Sequence, residues 1–134
     1  MIILDSSFII AFEVESDQNH ERAVKIMSEI NSGKFDEAII SDYIFDEVIT
    51  VSFGRTKNLD KVVFIGDKLR ESLVFLRINE EIFEEAWKIF KSQKNTTLSF
   101  TDCSIIALMK MKSISNLATF DKDFKKVSGI NVIS

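Results

Sequence analysis

Four acidic residues stand where their own surroundings give them no ordinary surface role. Asp5 follows the apolar run Ile2-Ile3-Leu4 and precedes Ser6-Ser7 and a second apolar run, Phe8 to Phe12. Asp121 ends the run Leu117-Ala118-Thr119-Phe120 in the same way. On a helix at 100° per residue, Glu47 lies at the edge of the stripe Ile44, Val48 and Val51, while its neighbour Asp46 points elsewhere. Asp102 has Ile105, Ile106 and Met109 at i+3, i+4 and i+7, which centres it on an apolar stripe. A buried carboxylate without a partner costs several kcal/mol, so each of these acids needs a cation, a proton or donors.

Each acid also has a plainer reading. Asp5 and Asp121 suit helix N-caps, Asp102 suits a first-turn acid three residues after Ser99, and Glu47 suits a half-exposed rim. The coincidence of all four is harder to explain plainly. Carboxylates gathered at one sheet edge repel and raise one another's pKa unless neutralised. Hard divalent cations bound through oxygen are the natural neutraliser, and Mg²⁺ or Mn²⁺ suit a site without His or thiolate ligands. Such a site activates water and steadies the charge of a phosphodiester under attack.

The surrounding pattern predicts the elements that would position them. Ile2–Leu4 reads as a buried strand, with a helix starting after Asp5. Ala23, Val24, Met27 and Ile30 recur at helical spacing before Gly33, and Ala38-Ile39-Ile40 forms a second strand. A helix from about Tyr43 to Phe53 is expected to end at Gly54, followed by another over Asn58–Glu71 that Gly66 weakens. Residues 73–78 form a third strand, and Asn79 caps a helix that reaches Phe90. On that helix Ile82, Phe83, Ala86, Trp87 and Phe90 share the apolar side, which places Trp87 in the core. A loop over 92–98 leads to a helix over 99–111, then to strands at 116–120 and 131–133. Strands alternating with helices predict an α/β fold with a mainly parallel central sheet of four to five strands, covered on both faces. In such sheets ligands bind outside the carboxyl ends of the strands, where Asp5 and Asp121 fall.

The chain's 134 residues predict one domain spanning 1–134. Its 46% hydrophobic and 28% charged residues match a globular protein, and no apolar run reaches the roughly 18 residues of a membrane span. The N-terminus lacks the basic flank of a signal peptide, so the cytoplasm is the expected location. Cys103 is alone, which rules out an internal disulfide. A net charge of -4 is the wrong sign for holding nucleic acid by bulk electrostatics, so contact would need metal ions or local cations. Arg55, Lys57, Lys61, Lys110 and Lys112 are candidates for the latter, though solvated surface suits each better. With four glycines and no proline, phosphate-cradling glycine loops are excluded. The single histidine, His20, rules out a His-based triad and fits a structural role at a helix start.

At the acidic residues the chain resembles the PIN-domain family of small metal-dependent ribonucleases. Ile3-Leu4-Asp5-Ser6-Ser7 is similar to the family's opening motif, and 41–48 to the segment carrying its glutamate. Residues 98–107 and 117–124 are similar to the third and fourth acidic motifs, in the family's order. The second motif lacks the usual Pro before its helix but leaves Glu47 in register. The resemblance implies a three-layer α/β/α PIN-like fold. It implies that Asp5, Glu47, Asp102 and Asp121 are catalytic and hold one or two Mg²⁺ or Mn²⁺ ions, with Ser6 and Thr119 in support; Asp123, close to Asp121 in sequence, is either a further supporting residue or plain surface. It implies hydrolysis of RNA phosphodiesters. Many small members resemble VapC-type toxins, which form homodimers and are silenced by an antitoxin protein; both partners are inherited from the resemblance.

Three other classes compete. A haloacid-dehalogenase phosphatase also starts from a strand-terminal Asp but needs Asp-x-Asp, and here the third residue is Ser7. A phospho-receiver needs an acidic pair after the first strand, which is absent. A non-toxin RNA-processing nuclease or a catalytically silent RNA-binding module of the same fold remains open, although retention of all four acids argues against silence.

Overall fold

The computed structural model describes residues 1–134. The strands are β1 (Ile2–Leu4), β2 (Ala38–Ser41), β3 (Val74–Leu76), β4 (Asn116–Ala118) and β5 (Asn131–Ile133). The helices are α1 (Ser6–Glu13), α2 (His20–Asn31), α3 (Asp42–Thr56), α4 (Leu59–Ser72), α5 (Glu80–Lys91) and α6 (Phe100–Lys112). A 3-10 turn over Lys122–Lys126 separates β4 from β5.

All five strands are parallel, in the order β3-β2-β1-β4-β5. Ile2, Ile3 and Leu4 are fully buried although successive side chains point to opposite faces, so helices cover both sides of β1. Each such burial stabilises the fold by roughly 1.5–3 kcal/mol. The chain builds outward from β1 to β2 and β3, then returns to place β4 on the other flank. The reversal puts the carboxyl ends of β1 and β4 side by side, where open parallel sheets form their binding crevice.

Two termination signals differ from expectation. Gly54 lies inside α3, and the helix ends at Lys57, which takes the left-handed conformation at φ 52° and donates its N–H to the Phe53 carbonyl. Gly66 serves close packing: a Cβ there would stand 3.1 Å from Ile49 Cδ1, so its absence lets α4 settle against α3. The two strands predicted over 73–78 and 116–120 are shorter, because Ile78 and Phe120 donate their N–H groups to side chains, Asp42 and Ser7. On α5 only Ile82 and Ala86 are buried; Phe83, Trp87 and Phe90 are exposed, so Trp87 is not a core residue. Periodicity marks an apolar face but does not say what covers it. No helix is long and apolar enough to cross a membrane.

Candidate active site

Asp5 follows β1 and occupies the N-cap position of α1, yet its side chain caps nothing. Its carboxylate, 2% exposed, instead accepts hydrogen bonds at Oδ2 from Ser7 Oγ and from Thr119 Oγ1, both at 2.7 Å. Thr119 comes one residue after β4, and its Oγ1 also accepts the Asp121 N–H at 3.0 Å. Ser7 Oγ accepts the Phe120 N–H at 3.0 Å. Two hydroxyls thus bolt the start of α1 to the end of β4 around one carboxylate. The plain reading of Asp5 as a helix cap fails.

The other acids arrive from separate elements. Glu47 sits on α3, half-buried, and its Oε1 accepts the Ser6 hydroxyl, whose oxygen also lies 3.5 Å from Asp5 Oδ1. Asp102 sits in the first turn of α6, where a capping box binds its Oδ2 to the Ser99 N–H at 2.9 Å. Asp121 precedes the 3-10 turn and accepts the Asp123 N–H at Oδ1, 2.9 Å. For Asp102 and Asp121 the capping role is therefore real, and it uses one oxygen of each.

A common pattern emerges. Each of the four carboxylates has one oxygen fixed by short donors from the protein, and its second oxygen has at most the 3.5 Å approach of Ser6 to Asp5. Asp123 breaks the pattern: its Oδ2 accepts from the Thr97 N–H and hydroxyl, and its Oδ1 pairs with Lys126. It fastens the loop before α6 to the 3-10 turn, so its support for the site is indirect. Ser6 donates to Glu47 and Thr119 to Asp5. Ser7 was missed, because a lone hydroxyl leaves no trace in an apolar pattern; the doubled Ser after Asp5 was the available signal.

Electrostatics tie the four together. Burial pushes the Asp5 carboxyl up and the charge of Glu47 adds to this, against the Thr119 and Ser7 hydrogen bonds. Asp102 is pushed up to about 7, first by burial and further by the charges of Asp5 and Asp121, against the Ser99 donors. Six ion pairs decorate the chain, and none includes any of the four acids. The site therefore holds acid-on-acid repulsion that no ion pair relieves.

This donor set suits a hard divalent cation. His20 is engaged through Nδ1 with the Ala11 carbonyl at 2.8 Å, and burial pushes the Cys103 thiol up to about 11, which leaves oxygen ligands only. No three His, Cys, Asp or Glu side chains are closed around a common point. Mg²⁺ keeps several waters and is commonly held by one or two carboxylates, so a site for it does not require three protein ligands.

A family model described as the PIN domain matches residues 2–130. The chain is 26% identical over 146 residues to "Ribonuclease VapC6" of Methanocaldococcus jannaschii, covering 98% of this chain and 95% of that protein. It is 24% identical over 132 residues to "23S rRNA-specific endonuclease VapC20" of Mycobacterium tuberculosis, covering 98% of each. The crystal structure of that VapC20, described as a sarcin-ricin loop cleaving toxin, superposes with a TM-score of 0.86 at 22% identity, covering 97% of both chains. VapBC2 from Rickettsia felis, bound to a DNA fragment from its promoter, superposes at 0.73 with 14% identity, over 99% of this chain and 98% of that one. At these identities the structural likenesses establish the fold.

Proposed function

This chain belongs to the PIN-domain family, and on that premise we propose that it is a divalent-metal-dependent endoribonuclease, the toxin of a toxin–antitoxin pair. Residues 1–134 act as one PIN-like unit with Asp5, Glu47, Asp102 and Asp121 as its catalytic and metal-holding acids. The observation that carries this reading is the half-occupied state of the four carboxylates. Each is oriented by a short protein hydrogen bond at one oxygen and presents the other, and none is in an ion pair. The names of the relatives, a ribonuclease and an rRNA endonuclease, support RNA as the substrate class.

Bound Mg²⁺ or Mn²⁺ supplies an activated water and neutralises charge at the phosphodiester. The protein's own residues set the stage for it. Ser7 and Thr119 fix Asp5 Oδ2, so that Asp5 would hold a metal with its orientation already set. Ser6 fixes Glu47, and the Ser99 amide holds Asp102 so that Oδ1 faces away from its own helix cap. Hydroxyl and amide donors orient carboxylates without neutralising them, which a lysine would do. A homodimer and an antitoxin that closes the acidic cleft complete the proposal. The complexes among the similar structures, such as VapBC2, support the second of these.

The absence of three acids closed around one point is the observation that a catalytically silent RNA-binding module would lean on. A metal titration separates the readings. The purified protein is expected to cleave labelled RNA only with added Mn²⁺ or Mg²⁺, and Asp5→Asn and Glu47→Gln are each expected to abolish cleavage. Cleavage that persists in a chelator, or that survives both substitutions, would overturn the proposal. Metal binding without cleavage of any RNA would favour the silent module.

A further inference from the structure

Beside the acids lies a recess of about 270 Å³ whose walls carry Asp121 together with Arg22, Lys122 and Lys125. A second recess, about 230 Å³, shares Gln18, Asn19, Phe120 and Asp121 with the first and reaches Ser7. The two adjoin along those shared residues and make a path. It leads from the hydroxyl that holds Asp5, past Asp121, to three cations.

Most lysines and arginines of this chain lie outside ion pairs, and those of the recess are among them. The side chains that supply its ion pairs are Lys34, Arg55, Lys68, Lys110 and Lys126, so Arg22, Lys122 and Lys125 have no acidic partner. All three are exposed to solvent. Arg22 is nevertheless placed: its guanidinium carbon stands 5.3 Å from the centre of the Phe120 ring. Phe120 is itself held by its N–H bond to Ser7 and by stacking on Phe8, with ring centres 6.0 Å apart. The same hydroxyl that orients Asp5 therefore sets the platform under Arg22. A chain of net charge -4 thus places three cations, none of them in an ion pair, on one flank of its acidic centre. Guanidinium is a planar donor fork matched to phosphate oxygens, and lysines add mobile point charge.

We propose that the recess lined by Arg22, Lys122 and Lys125 is a subsite for backbone phosphates of the RNA strand next to the bond that is cut. The identity of the strand as RNA rests on the nuclease reading above. The recess takes the phosphates that the acids, by their charge, would repel, and so fixes the direction in which the strand crosses the site. Arg22 reads as a positioning residue, held by Phe120 at a set distance from Asp121.

The test is direct binding of a labelled single-stranded RNA oligonucleotide in chelator, on an Asp5→Asn background, so that no turnover is needed. The comparison is between that background and the same protein carrying Arg22→Gln, Lys122→Gln and Lys125→Gln. Each lost phosphate contact lowers the slope of log affinity against log salt by about 0.7 for a single strand, so the triple variant should flatten it by about 2. Affinity at low salt should fall about tenfold or more. Lys88→Gln with Lys94→Gln, which line a separate recess, should leave the slope in place. On the wild-type background the triple variant should raise KM for RNA while kcat stays within about twofold. Should the triple substitution cost folding, Lys122→Gln with Lys125→Gln alone, both on exposed positions, should still flatten the slope by about 1.4. Unchanged affinity and slope alongside intact metal-dependent cleavage would overturn the subsite and leave the nuclease reading standing. A flattened slope in a protein that never cleaves RNA would support the subsite and remove the nuclease reading.

Discussion

At the carboxyl ends of β1 and β4, carboxylates and hydroxyls lie buried and bound to one another; on α5, Phe83, Trp87 and Phe90 are 41%, 45% and 38% exposed. Both regions invert the ordinary placement of polar and apolar groups, in opposite senses. The acid centre concentrates charge where solvent cannot relieve it, and Asp102 rises to about 7 as a result. The aromatic face concentrates apolar area where nothing in the chain covers it. Phe100 joins the two: its ring centre lies 5.1 Å from that of Phe83 and 6.4 Å from that of Trp87, and it stands two residues before Asp102. The contrast teaches what each region lacks. One could be relieved only by positive charge, the other only by apolar contact.

The sharpest way to break the comparison is to remove charge at the centre. Asp5→Asn keeps the volume and the acceptor oxygen but takes away the ligand charge. A loss of several kcal/mol of charge stabilisation in the transition state corresponds to about a thousandfold or more in kcat. Trp87→Ser should leave kcat unchanged in the same assay. Equal effects at the two positions would mean that the regions do not divide labour in this way. Ser7→Ala is the next step down, since it leaves all four acids and frees one of the two donors on Asp5 Oδ2. Loss of a residue that orients a ligand commonly costs about 10–100-fold in metal affinity or activity. Manganese titration followed by calorimetry would show weakened binding; an unchanged affinity would reduce Ser7 to a structural bolt.

Asp5 was legible because an apolar strand ended at it, and the parallel sheet was legible because strands and helices alternate. The partnership of Asp5 with Thr119 was not, since 114 residues separate them and only the placement of β4 beside β1 brings them together. Ser7 escaped notice because a hydroxyl is neutral in any apolar pattern. Asp123 looked like Asp121 in composition, and only its two bonds to Thr97 and one to Lys126 reveal that it has no oxygen to offer. Trp87 carried the right period for a core residue. A helical stripe wider than the surface it packs on leaves its margin exposed, and no single sequence states the width of that surface.

Proton linkage sharpens the account of the centre. Asp102 has a folded-state pKa of about 7 against 3.8 for the unstructured group. The folded protein then binds more protons than the unfolded chain between those values, so stability falls as pH rises from about 4 to about 7. At roughly 1.4 kcal/mol per unit, the full effect is on the order of 4 kcal/mol at most. Denaturant melts of the metal-free protein should show the decline, and Asp102→Asn should make it shallower, leaving the share of Asp5, whose carboxyl burial also pushes up. Added Mg²⁺ should restore stability most at the upper end of the window, because it competes with the proton for the same oxygen. A metal-free protein whose stability rises across this window would contradict the picture of crowded, unpaired acids.

The smallest effect on folding is expected on α5, and there the size itself is informative. Trp87 stacks on Phe90 with ring centres 5.8 Å apart, but 45% of it remains exposed. Trp87→Ser therefore forfeits only part of a large side chain's burial, about 1 kcal/mol in the isolated chain. If two copies meet through this face, the same substitution removes an aromatic anchor from an interface, where truncation commonly costs 2 kcal/mol or more, roughly thirtyfold in the dimer constant. Sedimentation should accordingly show wild-type dimer and variant monomer at a micromolar concentration where both remain folded. Trp87 is the better probe than Phe100, because Phe100 occupies the first turn of α6 and its loss would shift Asp102 as well. A variant that sediments as the wild type does would separate the exposed aromatics from self-association.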